Sequence, residues 1–222
     1  MIVAISPHLD DAVLSCGRLL ATQPGSVVVT VFAGMPRDAS QQTDWDRCCG
    51  FENAAQAVAE RRDEDRLALA ALQARPCWLD FADSQYGESP PLSEVSMALG
   101  AALSELGTEA LLMPLGLFHS DHVLAHEAVL MALPDLPSRP LLLYEDVPYR
   151  RLRGLVQQRL AGLARAGWCA TPAMGASGDA AQPKARAVQA YASQLRCLRA
   201  RRLLDAETAE RYWQLEPWSH DG

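Results

Sequence analysis

The chain has 222 residues, of which 49% are hydrophobic and 21% are charged, with 20 basic and 27 acidic side chains. This composition is typical of a globular protein and excludes a disordered, collagen-like or coiled-coil chain. The formal net charge of −7 argues against a protein that coats nucleic acid, so we expect no nucleic-acid partner.

Short apolar runs alternate with longer amphipathic stretches from the N-terminus onward. The predicted strands are residues 2–6, 27–33, 77–81, 110–115 and 140–144, and the predicted helices lie near residues 10–21, 52–74, 92–106 and 121–133. Strands that are apolar throughout suit a sheet covered on both faces, and this alternation is typical of right-handed βαβ units. The sequence therefore predicts an α/β fold with a mostly parallel sheet of about five or more strands.

After the fifth strand the pattern changes to an elaborated, helical C-terminal region. Its predicted segments are a helix at 152–166, a small-residue loop at 170–183 and a helix at 184–203. The sequence has neither an internal repeat nor a long linker. We therefore expect a single domain over residues 1–222, with core βα units at 1–149 and a variable helical region at 150–222.

The sequence shows no sign of export or membrane insertion. Met1 is not followed by a signal peptide, and no apolar run approaches the ~20 residues that span a bilayer. The six cysteines have no CxxC spacing, and the adjacent Cys48 and Cys49 are poorly placed to bridge each other. We expect most thiols to be reduced and buried, in a cytoplasmic protein with no membrane span.

Two polar clusters follow the first and fourth predicted strands. The first contains one histidine and two adjacent aspartates, and the second contains two histidines and an aspartate: His8, Asp10, Asp11, His119, Asp121 and His122. In open parallel sheets, ligands bind beyond the carboxyl ends of the strands. The two clusters are therefore expected to meet in one site.

Two imidazoles and one carboxylate form the ligand set of a catalytic zinc site with an open position. His8 and Asp11 lie three residues apart at a strand-to-helix turn, and His122 would complete the set. Asp10 would remain unligated and act as general base on a water molecule. The alternative is that the two aspartates only cap the following helix. His126, four residues after His122, is a weaker candidate ligand, and Fe²⁺ would also suit this donor set.

These motifs resemble those of the LmbE-like, or PIG-L, zinc-dependent de-N-acetylases. The matching blocks are PHxDD at residues 7–11 and HxDH at residues 119–122. Further similar segments lie at 61–65, 83–86, 144–149 and 184–194. The resemblance implies a Rossmann-like three-layer sandwich without a GxGxxG loop.

The resemblance implies the zinc ligands and the general base already named, and it adds further roles. His119 would stabilise the oxyanion or protonate the departing amine, and Asp121 would orient a histidine. Arg61 and Asp83 would lie near sugar hydroxyls. Some family members have a tyrosine at the position of Leu117 to polarise the substrate carbonyl. Leucine cannot donate a hydrogen bond, so the identity of the oxyanion donor stays open.

Trp45 lies in a long polar segment, residues 38–51, that follows the second predicted strand. Long loops in compact domains are often functional, and this one would hang over the carboxyl end of the sheet. The indole could stack on a sugar face, or it could pack the loop onto the body of the protein.

The expected function is zinc-dependent removal of an N-acetyl or other N-acyl group from an amino sugar or glycoconjugate, which is hydrolysis of a linear amide. One alternative is a carbohydrate esterase that uses the same site. Another is a catalytically inactive member that binds metal or sugar. The expected partner is a small N-acetylated sugar or glycoconjugate, and a homo-oligomer is compatible with the sequence.

Charge is unevenly distributed along the chain. Residues 1–149 carry 8 basic and 21 acidic side chains, whereas residues 150–202 carry 11 basic and one acidic. The basic groups of the second segment could simply pair with the acidic first segment. Some of them could instead bind an anionic group of the substrate. The candidates for that role are Arg150, Arg151, Arg153 and Lys184.

Overall fold

Seven strands form a single sheet in the computed structural model, which describes residues 1–175, 180–198 and 208–218. The strands are β1 (Ile2–Ser6), β2 (Val27–Thr30), β3 (Arg75–Trp78), β4 (Ala110–Pro114), β5 (Leu141–Tyr144), β6 (Trp168–Ala173) and β7 (Tyr212–Pro217). Their order across the sheet is β3-β2-β1-β4-β5-β7-β6. β1 to β5 pair in parallel, but β7 pairs antiparallel with both β5 and β6. The sheet is therefore mixed. The prediction of a mostly parallel sheet is wrong, because β6 and β7 add antiparallel pairs.

The two antiparallel strands lie in the region that was expected to be helical. The small-residue composition after residue 170 predicted a loop, but residues up to Ala173 belong to β6. Pro172 is tolerated because β6 is the edge strand, where a missing backbone N–H need not interrupt the sheet. The C-terminal region is thus mixed in structure.

Helices cover both faces of the sheet. They are α1 (Asp11–Ala21), α2 (Asp44–Cys49), α3 (Ala54–Ala71), α4 (Leu92–Leu106), α5 (Ser120–Ala132), α6 (Leu155–Arg165), α7 (Ala181–Ala190) and α8 (Ala192–Cys197). Val3 and Ile5 of β1 pack with α4, α5 and α6, whereas Ala4 packs with α1, α3 and α7. Successive residues of a strand point to opposite faces, which explains why the central strands are apolar throughout.

The predicted C-terminal helix is two helices in the structure. α7 ends at Ala190 and α8 begins at Ala192, because Tyr191 has φ −81° and ψ 51°, outside the helical region. The Tyr191 side chain is buried, and its hydroxyl donates to Asp65 Oδ1 at 2.7 Å. The predicted helical residues 199–203 lie outside the described part of the chain.

A disulfide joins Cys48 in α2 to Cys197 in α8, with the two Cα atoms 5.8 Å apart. The two cysteines are 149 positions apart in the sequence, so spacing gave no signal for this pairing. Among the described residues, the other four cysteines have free thiols. None of the described helices is long and apolar enough to cross a bilayer.

Candidate metal centre and its pocket

The two polar clusters meet at the carboxyl ends of β1 and β4, which are neighbours in the sheet. One cluster enters α1 and the other enters α5. Together they line a cavity of about 360 Å³. The sequence-based prediction that both clusters share one site agrees with this placement.

Two histidines converge on one carboxylate oxygen in this cavity. His8 Nδ1 and His122 Nε2 each lie 3.1 Å from Asp11 Oδ2. The same oxygen accepts the backbone N–H of His8 at 2.9 Å. These three side chains offer ligand atoms that all lie within 4.8 Å of one another, close enough for one metal ion to bind all three.

The second nitrogen of each imidazole lies against another carboxylate. His8 Nε2 is 3.0 Å from Asp121 Oδ2, and His122 Nδ1 is 2.6 Å from Asp146 Oδ1. Each ring therefore presents one nitrogen to the shared site and has the other fixed by a carboxylate. Metal-ligating histidines in proteins are held in this way, so the residues present fit a bound metal.

A second set of residues in the same cavity could also hold a metal ion. It consists of His8, His119 and Asp121, with ligand atoms again within 4.8 Å of one another. Because both sets use His8, they overlap and form one centre rather than two separate ones. His126 belongs to neither set found among the described residues.

His126 is buried and is not among the described residues that line the cavity. Its Nδ1 lies 2.8 Å from the carbonyl oxygen of Pro114. Burial lowers the pKa of His126 to about 3, with a further contribution from Arg159. The imidazole is therefore neutral and helps to pack α5 against the end of β4.

The side chains of the two aspartates do not cap α1, which was the alternative interpretation of the sequence. Asp10 occupies the N-cap position of α1, but its carboxylate makes no capping hydrogen bond. The Ala12 N–H donates instead to Ser6 Oγ at 3.0 Å. The Asp10 side chain lines the cavity, where burial and then the neighbouring Asp11 raise its pKa to about 7.

His119 is the N-cap residue of α5, and its Nδ1 accepts the Asp121 N–H at 3.3 Å. In the neutral ring the proton therefore lies on Nε2. Burial lowers the pKa of His119, and the nearby His8 lowers it further. The ring stacks near Tyr149, with centroids 6.2 Å apart and planes inclined by 22°. His119 can thus present a single N–H donor to a ligand.

Arg61 lines the cavity from α3 and is held by a buried carboxylate. Its Nη2 donates to Asp46 Oδ1 at 2.8 Å, and the Tyr86 hydroxyl donates to the same oxygen at 3.1 Å. Asp46 is fully buried within α2. The guanidinium is therefore fixed in position at the cavity wall.

Asp83 and Trp45 also line the cavity. Asp83 accepts the Gln85 N–H at 2.9 Å, and its Oδ1 lies 3.8 Å from His8 Nε2. Trp45 Nε1 donates to Gln194 Oε1 at 3.0 Å, which connects α2 to α8. The indole therefore has a packing role and is also accessible to a ligand from the cavity.

Leu117 is buried in the core, 1% exposed, and contributes no donor to the cavity. The next residue, Phe118, has a positive φ of 63° and lines the cavity with a largely exposed ring. Sequence reasoning missed Phe118, because a phenylalanine directly after Leu117 looks like one more apolar core residue.

Asp146 is the other residue that sequence reasoning did not assign to the site. It is fully buried, and its Oδ2 accepts the backbone N–H groups of Gly116 at 3.0 Å and Leu117 at 3.1 Å. Its other oxygen faces His122. A polar residue just after the fifth predicted strand, at the same edge of the sheet as the two clusters, was the available signal.

Two of the basic residues considered for anion binding are engaged elsewhere. Lys184 is buried and donates to Leu14 O and to Glu210 Oε1, both at 2.7 Å. Arg150 is buried and donates to Ala209 O at 3.1 Å. Of the described residues that line the cavity, the one arginine is Arg61. The hypothesis of an anion site is therefore wrong for Lys184 and Arg150.

The family model for GlcNAc-PI de-N-acetylase (PIG-L) matches residues 3–133. The chain is also 34% identical over 171 residues to the 2′-N-acetylparomamine deacetylase of Streptomyces fradiae. That match covers 68% of this chain and 58% of the relative, so the chain spans less than two thirds of the relative's length.

Two solved structures are similar over the whole chain. A deacetylase triple mutant involved in the teicoplanin biosynthetic pathway has a TM-score of 0.82 and 27% identity, covering 100% of this chain and 99% of that one. The zinc-inhibited form of a teicoplanin deacetylase has a TM-score of 0.77 and 26% identity, again covering 100% and 99%.

Proposed function

Because the chain belongs to the GlcNAc-PI de-N-acetylase (PIG-L) family, we propose that it is a zinc-dependent hydrolase that removes the N-acetyl group from an amino sugar or glycoconjugate. The observation that carries this proposal is the convergence of His8 and His122 on Asp11 Oδ2 inside the cavity. The curated relative and the two solved relatives described above are deacetylases. We further propose that residues 1–222 act as one domain.

The metal would be held by His8 Nδ1, Asp11 Oδ2 and His122 Nε2. A bound metal polarises the acyl carbonyl and lowers the pKa of water. Zn²⁺ suits two nitrogens and one carboxylate oxygen, and Fe²⁺ is compatible with the same donors. Asp121 and Asp146 then keep the two rings oriented through their second nitrogens.

Asp10 would accept the proton of the attacking water at its carboxylate. Its position supports this role, because the side chain lines the cavity beside Asp11 and makes no capping bond to α1. The N–H that it could have capped is already bonded to Ser6 Oγ. The carboxylate is thus left available as a general base.

His119 would donate a hydrogen bond from Nε2 to the developing oxyanion, and the proton that Asp10 accepts from the water would then pass to the departing amine. The Leu117 side chain is buried and offers no hydrogen bond, so the imidazole takes the place of the tyrosine that some family members have at this position. A preorganised donor aimed at developing charge stabilises the transition state more than the ground state. The proposal therefore assigns the oxyanion role to His119 and the acid role to the protonated Asp10.

Arg61, Asp83 and Trp45 would bind the sugar. Arg61 and Asp83 can donate to and accept from hydroxyl groups, and the indole can cover an apolar sugar face. Because Asp46 already fixes the guanidinium, Arg61 would bind without losing much side-chain freedom. The three residues come from α2, α3 and the segment after β3, and all of them line the cavity.

The test is acetate release from N-acetylated amino sugars and their glycosides, with zinc present and after chelation. Asp10→Asn should retain zinc but lose turnover by at least about 100-fold, the lower range for a positioned base. Asp63→Asn is the matched control, because Asp63 lies in α3 and makes an exposed ion pair with Arg66. Full activity of Asp10→Asn would contradict the base assignment, and no acetate release from any such sugar would contradict the proposed function.

A further inference from the structure

Phe118 adopts a backbone conformation that a phenylalanine rarely takes. Its φ is +63°, and within the described residues Gln73 is the one other non-glycine residue with a positive φ. The His119 N–H donates to Leu117 O at 2.7 Å, so the hydrogen bond spans only three residues with Phe118 at the centre. This is the pattern of a γ-turn with positive φ, which is rare and strained.

The residues on both sides of Phe118 hold this turn in place. Asp146 Oδ2 accepts the N–H groups of Gly116 and Leu117, and the Leu117 side chain is buried in the core. His119 immediately begins α5 as its N-cap residue. Because its neighbours are fixed, Phe118 cannot relax to an ordinary conformation without disturbing the metal centre.

The turn directs the Phe118 ring into the cavity, where it is exposed. The residue is 67% exposed although it is large and apolar, and it lines the cavity. Its ring lies 5.4 Å from that of Tyr149, which in turn lies 5.0 Å from the ring of His122. The Tyr149 ring therefore separates the apolar ring of Phe118 from His122, a proposed metal ligand.

Folding alone does not account for this arrangement, since it combines backbone strain with an unburied ring. Strain of this kind persists where the surrounding structure imposes it, and it clusters at ligand sites. The ring loses its exposure to water only when a ligand covers it, and a phenyl ring offers no hydrogen bond. Since apolar burial is the main interaction that a phenyl ring offers, we expect the group that covers it to be apolar.

We propose that Phe118 is a specificity-determining residue that contacts an apolar group of the substrate next to the scissile amide. The assignment of that ligand as a substrate rests on the proposed deacetylase function. The apolar group can come from either side of the amide. It is either an N-acyl chain longer than acetyl or an apolar substituent on the anomeric oxygen of the sugar.

Binding measurements separate this proposal from the catalytic one. All titrations use zinc-loaded protein with Asp10→Asn in the background, so that ligand hydrolysis is slow during the measurement. Two ligand pairs are compared by calorimetry. The first pair is N-hexanoyl- and N-acetylglucosamine, and the second pair is the phenyl and methyl glycosides of N-acetylglucosamine.

Phe118→Gly removes the ring and also relieves the strain, because glycine accepts a positive φ. Gln73→Gly is the matched control. Gln73 has φ +55° and lies just before β3 begins, at the opposite end of the sheet from the cavity. Both substitutions should raise the melting temperature. Only Phe118→Gly should change ligand binding.

We expect the starting protein to bind the apolar member of at least one pair at least tenfold more tightly. Phe118→Gly should reduce that preference about tenfold, while the Kd of the smaller member changes less than twofold. The pair that responds identifies the side of the amide that Phe118 covers. Equal preferences before and after the substitution, or no preference in either pair, would overturn the proposal. Preferential binding without acetate release by the unsubstituted enzyme would overturn the deacetylase function and leave standing only the contact between Phe118 and an apolar group of a ligand.

Discussion

At the residue scale, the hydroxyl of Ser6 determines what the two following aspartates can do. Ser6 Oγ accepts the Ala12 N–H, so neither carboxylate is needed to cap α1. Asp11 turns to the His8 N–H and the two imidazoles, and Asp10 lines the cavity. Aspartate at an N-cap position usually caps, so spacing alone left both interpretations open. The deciding bond comes from a residue at the end of β1.

Much of the candidate centre could be predicted because its residues directly follow strands. His8 and Asp11 lie two and five positions after the end of β1, His122 lies eight positions after the end of β4, and parallel pairing brings those ends together. Asp146 and Phe118 could not be predicted in the same way. The role of Asp146 depends on two backbone N–H groups of another loop. The role of Phe118 depends on a turn with positive φ, and phenylalanine is not a residue type that predicts such a turn.

The two histidines of α5 allow a matched test of metal binding. Asparagine can place its amide nitrogen where histidine has Nδ1 but has nothing at Nε2. His122→Asn should therefore keep its bond to Asp146 and lose bound zinc, measured by atomic absorption. His126→Asn should keep its bond to Pro114 O and retain zinc. Equal zinc content in the two variants would exclude His122 as a ligand.

Asp146 should contribute to zinc affinity without touching the metal. In Asp146, one carboxylate oxygen contacts His122 and the other accepts the backbone N–H groups of Gly116 and Leu117. Asparagine has a single acceptor oxygen, so Asp146→Asn loses one of these two sets of contacts. Either the His122 ring loses its fixed orientation or the turn at 116–118 loosens. We expect zinc to bind about 10- to 100-fold more weakly, measured by competition with a chelating dye. Glu145→Gln is the control, since Glu145 Oε1 accepts Trp213 Nε1 instead. An unchanged zinc Kd in Asp146→Asn would refute the positioning role.

At the scale of elements, α1 is kinked and the kink is stabilised by side chains from the C-terminal region. Cys16 has φ −140°, which is not helical. Lys184 Nζ donates to Leu14 O at 2.7 Å, while Glu210 Oε1 accepts the Arg18 N–H at 2.8 Å. In a regular helix that N–H and that carbonyl would bond to each other. The buried ion pair thus replaces the missing bond of the helix.

This ion pair should matter for stability rather than for chemistry. Burial lowers the pKa of Lys184 although Glu210 opposes the shift, so each group depends on its partner. Glu210→Gln should reduce the free energy of unfolding by about 3 kcal/mol, measured by urea denaturation. Adding Lys184→Met should cost less than the sum of the two single changes.

The exposed pair of Arg62 and Asp80, 3.4 Å apart, is the control for that measurement. Asp80→Asn, which removes the exposed partner and leaves the bond from Arg62 to Ala33 O, should change the free energy of unfolding by less than about 1 kcal/mol. If Glu210→Gln had an equally small effect, the ion pair would not be what stabilises the kink.

The sequence predicted the first five strands and the long helices between them, because these elements are long or mostly apolar. It did not predict the short helix α2, which lies in the segment 38–51 that was interpreted as a loop. It did not predict β6 and β7. Pro172 and several small residues disguise β6 as a loop, and β7 exposes half of its side chains. β6 forms by pairing with β7, and β7 also pairs with β5. Such pairing is a tertiary effect, so local composition does not predict it.

At the scale of the whole molecule, a metal would join two parts of the chain. His8 and Asp11 lie between β1 and α1, and His122 lies on α5. Zinc that binds the folded chain alone stabilises it by about 2.7 kcal/mol at a free concentration of 100 times Kd. For a domain of this size, that corresponds to about 5–10 °C in melting temperature.

Chelation should therefore lower the melting temperature, and added zinc should restore it, measured by differential scanning calorimetry. The same treatment of His122→Asn should have no effect, because that variant should hold no zinc. A chelator that shifts both proteins equally would show that zinc acts somewhere else.

The position of β7 has a consequence for the order in which the protein can fold during synthesis. β5 and β6 are made first, but each is bonded to β7 and not to the other. Until residues 212–217 leave the ribosome, β5 presents an open edge of apolar residues, and such edges invite pairing between chains. The nascent chain should thus be most prone to aggregate in the interval between the synthesis of β5 and that of β7.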